Sequence, residues 1–267
     1  MIWEEVAIRS EKLGVTVNQV LQEEIQKTVL ASLSYSEAFN HIVFQGGTAL
    51  RLFYGNPRFS EDLDFVTRQN KMFDITKNIS SIQRSIEKTF PFIEETNIQV
   101  QRNDDQMQRL ILRVTGEPFQ RIRIHIELVY VPSYHNRPKI LDYPPITPVV
   151  RVEEPSEILA DKVVALGNRH YIKGRDIWDI YFLIIEKNID TPWNLVFQKA
   201  GDYKITSSDL RKNILKESKR LETEGLSILH NELLRFLPKK IFDQYRESFG
   251  EIIAVVIENI RGGLLEK

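Results

Sequence analysis

The feature that most constrains the fold is a change of pattern at a proline-rich passage near the middle of the chain. Before it, short β-rich runs alternate with helical periods, and beyond residue 155 nearly every segment has apolar residues at helical spacing. We therefore expect an α+β protein, with a small sheet in domain 1–150 and a mostly helical domain 151–267. The prolines of the passage are Pro132, Pro138, Pro144, Pro145 and Pro148.

Composition narrows the class of protein. The 267 residues include 36 Lys and Arg against 37 Asp and Glu, which argues against a protein that coats nucleic acid but allows a local basic patch. The absence of cysteine excludes disulfides, cysteine-ligated metals and thiol catalysis. No signal peptide is evident, and the apolar run at 252–257 is far shorter than the ~20 residues that span a bilayer. We expect a cytoplasmic protein with no membrane segment. We also expect the apolar run at 252–257 to lie in the core.

Hydrophobic periodicity predicts the secondary structure. Thr16 or Asn18 could cap the second helix. The predicted strands are 41–44, 63–66, 106–115 and 119–131, and the predicted helices are 3–13, 17–35, 48–54, 71–90, 156–170, 174–187, 192–199, 207–222, 224–236 and 240–260.

A double glycine lies between a short strand and a helix start. Gly46 and Gly47 let backbone amides approach a ligand closely, and the helix that begins near Thr48 adds partial positive charge. This arrangement suits the phosphates of a nucleotide. The same pattern also occurs in ordinary strand-to-helix turns, which is the commoner case for an isolated Gly-Gly-Thr.

Two aspartates follow at the start of the next strand. Asp62 and Asp64 share one face of that strand, while Leu63 and Phe65 point to the other face. Two adjacent carboxylates repel each other unless a cation lies between them, and hard oxygen ligands suit Mg²⁺ or Mn²⁺. Surface strands also often begin with acids, so the pair alone is not diagnostic.

A later strand supplies a third acid. Arg123, His125 and Glu127 alternate with apolar residues, so Glu127 lies on the polar face and becomes the natural third ligand. Three acids could hold two ions roughly 3.5–4 Å apart, as in phosphoryl-transfer sites. The alternative is that this face is simply exposed to water.

The order of these motifs resembles the DNA polymerase β-like nucleotidyltransferases, and more narrowly the AbiEii/AbiGii toxin family. The resemblance rests on Gly-Gly-Thr-Ala-Leu-Arg at 46–51, on Arg-x-Ser-x-Asp-x-Asp at 58–64 and on the later acid. The second half adds Glu-Ile-Leu-Ala-x-Lys at 157–162 and Arg-Asp-x-x-Asp at 175–179. The similarity covers about residues 40–185.

The resemblance implies a fold, an activity and partners. The fold would be a small mixed-sheet nucleotidyltransferase core flanked by helices, with a helical domain that completes the active site. The activity would be transfer of a nucleoside monophosphate from a nucleoside triphosphate (NTP) to an acceptor hydroxyl, favouring a tRNA 3′ end, with release of pyrophosphate. The protein would be the toxin of a bacterial toxin–antitoxin or abortive-infection system, with a cognate antitoxin.

The resemblance also implies site residues. The implied catalytic residues are Asp62, Asp64, Lys162 and Asp176, and the implied ligands of Mg²⁺ (or Mn²⁺) are Asp62, Asp64 and Glu127. The implied nucleotide-binding residues are Gly46, Gly47, Thr48, Arg51, Ser60 and Arg169.

Spacing allows two interpretations of the charged residues in the second half. Lys162 and Arg169 are seven residues apart and would share a helix face, either to meet phosphates or as a solvated basic stripe. Asp176 and Asp179 would share a face of the next helix, where acids also complement the helix dipole. We expect Asp179 to support the site indirectly, and Arg175 to pair with Glu186 or another acid.

Local charge favours RNA as the acceptor. Residues 109–139 carry six Lys or Arg against two Glu, and 204–220 carry six against two acids. Ordinary solvated cations would give the same counts. A protein- or small-molecule-nucleotidylating enzyme and a nucleotide-binding regulator without turnover stay open, and the sequence does not select the NTP.

Overall fold

A mixed seven-stranded sheet forms the centre of the N-terminal unit, which comprises residues 1–55 and 59–153. The computed structural model describes residues 1–69 and 72–265. The strand order is β3-β4-β5-β2-β1-β7-β6. The strands are β1 (Ile42–Gln45), β2 (Leu63–Thr67), β3 (Glu95–Asn103), β4 (Met107–Gly116), β5 (Phe119–Pro132), β6 (Asn136–Ile140) and β7 (Val149–Glu153).

The middle of the sheet combines both strand directions. β2 pairs antiparallel with β1 and parallel with β5, and β1 pairs parallel with β7. The α+β mixed-sheet prediction is therefore confirmed, although the sheet is larger than predicted. In this register Asp64 lies opposite Gln45 on one side and opposite Glu127 on the other.

The helices of this unit follow the sequence pattern closely. α2 packs on β5 and α4, and its apolar residues Leu21, Ile25 and Val29 are fully buried. Thr16 caps α2, since its side chain accepts a hydrogen bond from the backbone N–H of Gln19. The helices are α1 (Trp3–Leu13), α2 (Val17–Tyr35), α3 (Gly46–Tyr54) and α4 (Ile79–Thr89).

The segment predicted as one helix over 71–90 is shorter and begins differently. A 3₁₀ turn at Ile75–Asn78 precedes α4. The side chain of Asp74 accepts a hydrogen bond from the backbone N–H of Thr76 and so caps the start of this turn. Lys71 lies outside the described residues.

Three strands were not predicted from periodicity. β3 lies at one edge of the sheet and has a polar, largely exposed sequence, so it lacks the apolar alternation of a half-buried strand. β6 and β7 lie inside the proline-rich passage. β6 is the other edge strand, where the missing N–H of Pro138 costs less than it would in a central strand.

The C-terminal unit comprises residues 56–58 and 154–267 and is helical in its described part. Pro155 occupies the first turn of α5, where its missing N–H is not needed. The helices are α5 (Pro155–Asn168), α6 (Gly174–Tyr181), α7 (Trp193–Asp202), α8 (Ser207–Phe236), α9 (Lys239–Tyr245) and α10 (Phe249–Leu265), with a π-helical turn at Phe182–Glu186.

The breaks between the last helices of this unit differ from the prediction. α8 continues through the predicted break, because Gly225 stays helical and lies against Ile253 of α10. The predicted helix 240–260 is two helices joined by a 3₁₀ turn at Arg246–Ser248. Ile252 and Val256 are buried, so the apolar run near the end is core, as predicted. Among the described helices, none combines the length and the apolar character needed to cross a membrane.

Candidate active site

The acid pair lies directly against the glycine turn. Gly46 follows β1 and opens α3 with φ 81°, a conformation that favours glycine. A Cβ atom placed on Gly46 would lie 2.6 Å from Oδ2 of Asp64. The carboxylate of Asp64 therefore occupies the space that any other residue at position 46 would fill.

A hydrogen bond also joins the first turn of α3 to the backbone of the aspartate pair. Thr48 is buried, and its Oγ1 donates to the backbone carbonyl of Asp62 at 2.5 Å. Its hydroxyl thus connects the first turn of α3 to the acid pair. The backbone N–H groups of this first turn have no partner within the helix, as at any helix start.

The two aspartates keep access to solvent. The side chain of Asp62 is 32% exposed, and its Oδ1 lies 3.0 Å from Nδ1 of His125. Asp64 is half-buried. Alternation along β5 predicted that His125 lies on the polar face, and this was the signal in the sequence that pointed to the residue; its contact with Asp62 was not predicted.

Glu127 is adjacent to Asp64 but is already paired. It lies opposite Asp64 across β2 and β5, and its Oε1 lies 2.9 Å from Nε of Arg109 on β4. Within the described part of the chain, Asp62, Asp64 and Glu127 do not all place a carboxylate oxygen within 4.8 Å of one another. The oxygen donors of Asp62 and Asp64 fit a hard divalent ion, whereas Arg109 competes for Glu127.

Arg51 and Ser60 make contacts that stabilise the surroundings of the acid pair. Arg51 Nε lies 2.7 Å from Oε2 of Glu23 on α2, and its guanidinium lies over Phe59. The carbonyl of Ser60 accepts a hydrogen bond from Gln26. The contact of Arg51 and Ser60 with a nucleotide stays a prediction.

A buried ion cluster forms within the C-terminal unit. Lys162 Nζ lies 2.8 Å from Oδ1 of Asp176 and 2.7 Å from Oδ2 of Asp179. Arg58 donates to both carboxylate oxygens of Asp179, at 2.9 and 2.7 Å, and Arg169 pairs with Asp176. The structure thus brings together Lys162, Arg169 and Asp176, three of the implied site residues.

The local geometry of Arg169 differs from the prediction. α5 ends at Asn168, and Arg169 has an extended backbone, so the two cations do not lie two turns apart on one helix. They converge because α6 directs Asp176 toward both. Arg175 pairs with Glu232, at 3.6 Å, an acid other than Glu186, as the prediction allowed.

Electrostatics keeps the cluster charged. Burial alone would raise the pKa of Asp176, but Lys162 and Arg169 outweigh it, and the pKa lies well below its usual range. Arg58 and Lys162 likewise hold the pKa of Asp179 below its usual value against burial. Burial would lower the pKa of Lys162, yet Asp176 and Asp179 raise it above the ordinary value.

The contact between Gly46 and Asp64 can be tested with alanine. We expect Gly46→Ala to reduce catalytic rate by about 100-fold, because the new methyl group displaces the Asp64 carboxylate by ångströms. Gly55→Ala is the matched control, since Gly55 has φ 80° and open space around its Cα. Both variants should lose about 1–3 kcal/mol of stability from backbone strain, measured by chemical denaturation. Equal transfer rates in the two variants would contradict the contact.

Several solved structures share the architecture of this chain. A crystal structure of JHP933 from Helicobacter pylori has 20% identity and a TM-score of 0.58, over 94% of each chain. A putative nucleotidyltransferase from H. pylori has 20% identity and a TM-score of 0.57, over 94% of this chain and 97% of the other. MenT4, a nucleotidyltransferase toxin from Mycobacterium tuberculosis, has 19% identity and a TM-score of 0.55, over 96% of this chain and 99% of its own. At these identities the likeness shows a shared fold.

A family model gives the narrower assignment. The model described as "Nucleotidyl transferase AbiEii toxin, Type IV TA system" matches residues 28–254, so this chain belongs to the AbiEii family. The chain is therefore a nucleotidyltransferase of the toxin–antitoxin class, as its motifs predicted. The family implies an NTP substrate and a cognate antitoxin. No curated protein matches the chain significantly.

Proposed function

We propose that this protein transfers a nucleoside monophosphate from an NTP to a hydroxyl of an RNA, with a tRNA 3′ end as the favoured acceptor, and releases pyrophosphate. The observation that supports this most directly is the close packing of the Asp64 carboxylate against Gly46. It brings a carboxylate pair suited to a divalent ion next to a helix start suited to phosphates.

The turn at the start of α3 is the proposed triphosphate site. Gly46 and Gly47 carry no side chain that would keep an anion from the backbone, and the first N–H groups of α3 are available as donors. The positive end of the helix dipole adds to this attraction. Thr48 contributes by holding the turn beside Asp62, because its hydroxyl donates a hydrogen bond to the Asp62 backbone carbonyl.

Asp62 and Asp64 are the proposed ligands of Mg²⁺ or Mn²⁺. When bound, such an ion would offset phosphate charge and make the attacking hydroxyl more acidic. His125 holds one oxygen of Asp62, which restricts the orientation of that carboxylate. Glu127 remains a proposed third ligand because it lies beside Asp64, and its use would require Arg109 to release it.

The ion cluster of the C-terminal unit gives narrower roles to Lys162 and Asp176. The lowered pKa of Asp176 makes it a weak base near neutral pH, so we propose that it orients Lys162 and Arg169 rather than accepting a proton. Lys162 stays protonated and supplies positive charge. Its predicted contact with a nucleotide rests on the resemblance.

A transfer assay tests the proposed function. The whole protein is incubated with Mg²⁺, total RNA and each of the four NTPs labelled at the α-phosphate. We expect label in RNA with one NTP preferred, and no label when a chelator replaces Mg²⁺. The Asp64→Asn protein is the matched control.

Two other results of this assay would contradict parts of the proposal. Label on protein or on an added small molecule would contradict the RNA acceptor, and nucleotide binding without transfer would contradict the enzyme mechanism. Growth arrest on expression, relieved by the product of a neighbouring gene, is the expected cellular result for a toxin.

A further inference from the structure

Three arginines gather on the sheet face that carries Asp64 and Glu127. Arg113 on β4 lies directly opposite Arg123 on β5, and Arg121 lies two residues from Arg123 on the same face. Like charges placed opposite each other destabilise a sheet. We call Arg113, Arg121 and Arg123 the arginine row. Repulsion among its three positive charges destabilises the sheet unless an anion binds there.

The arginine row has no acidic partner among the described residues. Arg113 donates only to the neutral amide oxygen of Gln99, at 2.5 Å, and the side chains of Arg121 and Arg123 are exposed. Arg109, on the same face of β4, differs because Glu127 lies opposite and pairs with it. The three positive charges of the row are therefore available to a ligand.

The row borders a polar cavity. Its volume is about 170 Å³, and Oδ1 of Asn97 on β3 is buried without a hydrogen-bond partner. The cavity is lined by Glu95, Asn97, Gln99, Arg113, Thr115 and Arg121. No apolar or aromatic side chain is in this set. Protein interfaces usually have apolar or aromatic anchors at their centre, so the lining favours a phosphate backbone over a protein partner.

The row leads along β5 toward the acid pair. Arg123 and Arg121 precede Glu127 by four and six residues, which corresponds to about 13 and 20 Å along the strand. Glu127 in turn lies opposite Asp64. At 3.4 Å per stacked nucleotide, these distances span about four to six nucleotides.

We propose that the arginine row binds the phosphate backbone of the acceptor RNA, about four to six nucleotides from the end that is modified. This proposal rests on the proposed function. Guanidinium groups match phosphate oxygens with two parallel hydrogen bonds, so a row of arginines orients a strand as well as attracting it.

The test is RNA binding without any NTP. The probe is a fluorescent single-stranded RNA of about twelve nucleotides, roughly twice the span of the row, with affinity measured by anisotropy at several salt concentrations. The variant is Arg113→Gln/Arg121→Gln/Arg123→Gln. Loss of three phosphate contacts should reduce the slope of log K against log salt by about 2, and weaken binding on the order of 100-fold at about 0.1 M salt.

A matched control removes the same charge elsewhere. Lys12 on α1 and Arg84 and Lys88 on α4 are exposed and lie outside the two basic segments, and among the described residues they form no ion pair. Lys12→Gln/Arg84→Gln/Lys88→Gln should keep the wild-type slope. The arginine variant should melt no lower than wild type, because it removes like-charge repulsion.

Wild-type affinity and slope in the arginine variant would overturn the proposal, as would equal losses in both triple variants. Loss of antitoxin binding with unchanged RNA binding would assign the row to a protein partner instead. The proposed function is tested separately. If wild type transfers label and the arginine variant binds RNA as wild type does, the RNA-binding role of the arginine row is refuted and the proposed function stands. If wild type transfers no label but the arginine variant loses RNA binding, the proposed function is refuted and the RNA-binding role of the row stands.

Discussion

Asp64→Asn should reduce nucleotide transfer by on the order of 1000-fold while the folded structure persists. Asparagine has nearly the same shape, so the contact with Gly46 is kept, but the negative charge that would bind a divalent ion is lost. Initial rates of label transfer at saturating NTP measure the effect. Thermal unfolding of the same sample shows whether the fold is intact.

A second acid in the same unit provides the control. Glu117 is exposed in the turn between β4 and β5, and Glu117→Gln removes one negative charge without touching the site. Its transfer rate should equal that of wild type. If Asp64→Asn kept wild-type activity, Asp64 would have no role in holding a metal.

Asp179→Asn should cost about 3–5 kcal/mol of unfolding free energy, the largest stability effect we expect in the C-terminal unit. Asp179 is fully buried, and Arg58 is only 2% exposed. Removal of the carboxylate charge leaves the buried charge of Arg58 uncompensated and takes one of two acids from Lys162. Urea denaturation followed by far-ultraviolet circular dichroism measures the change.

The pH dependence has a defined sign. Because folding lowers the pKa of Asp179, its stabilising effect is present above the unfolded pKa of about 4 and is lost as pH falls through the folded pKa. The difference between wild type and Asp179→Asn should thus be constant near neutrality and shrink in strong acid. Asp243→Asn, which removes an exposed pair with Arg246, should cost less than about 1 kcal/mol at any pH. A loss of less than about 1 kcal/mol in the Asp179→Asn protein as well would show that the cluster does not stabilise the fold.

Local patterns predicted the elements whose stability depends on local contacts. α1 and α2 have the predicted bounds, and Thr16 is the predicted cap, since capping and amphipathic spacing act over a few residues. The alternation of β5 likewise placed Glu127 on the polar face. These predictions needed no knowledge of what packs against each element.

Elements that depend on distant partners were missed. β3 and β6 are polar edge strands whose main support is backbone pairing with one neighbour. α8 passes through Gly225 because α10 packs there, and this contact outweighs the low helix propensity of glycine. Neither effect can be read from spacing along the chain.

The sequence by itself determined which chemical groups are present: a glycine pair at a helix start, two aspartates on one strand face, and the motifs of the AbiEii family. Only the tertiary structure decided their partners. It placed Asp64 against Gly46, joined Asp62 to His125, paired Glu127 with Arg109, and enclosed Asp179 with Arg58. The physical reason is that local spacing sets the face a side chain occupies, whereas its partner is chosen by strand register and packing between residues far apart in the chain.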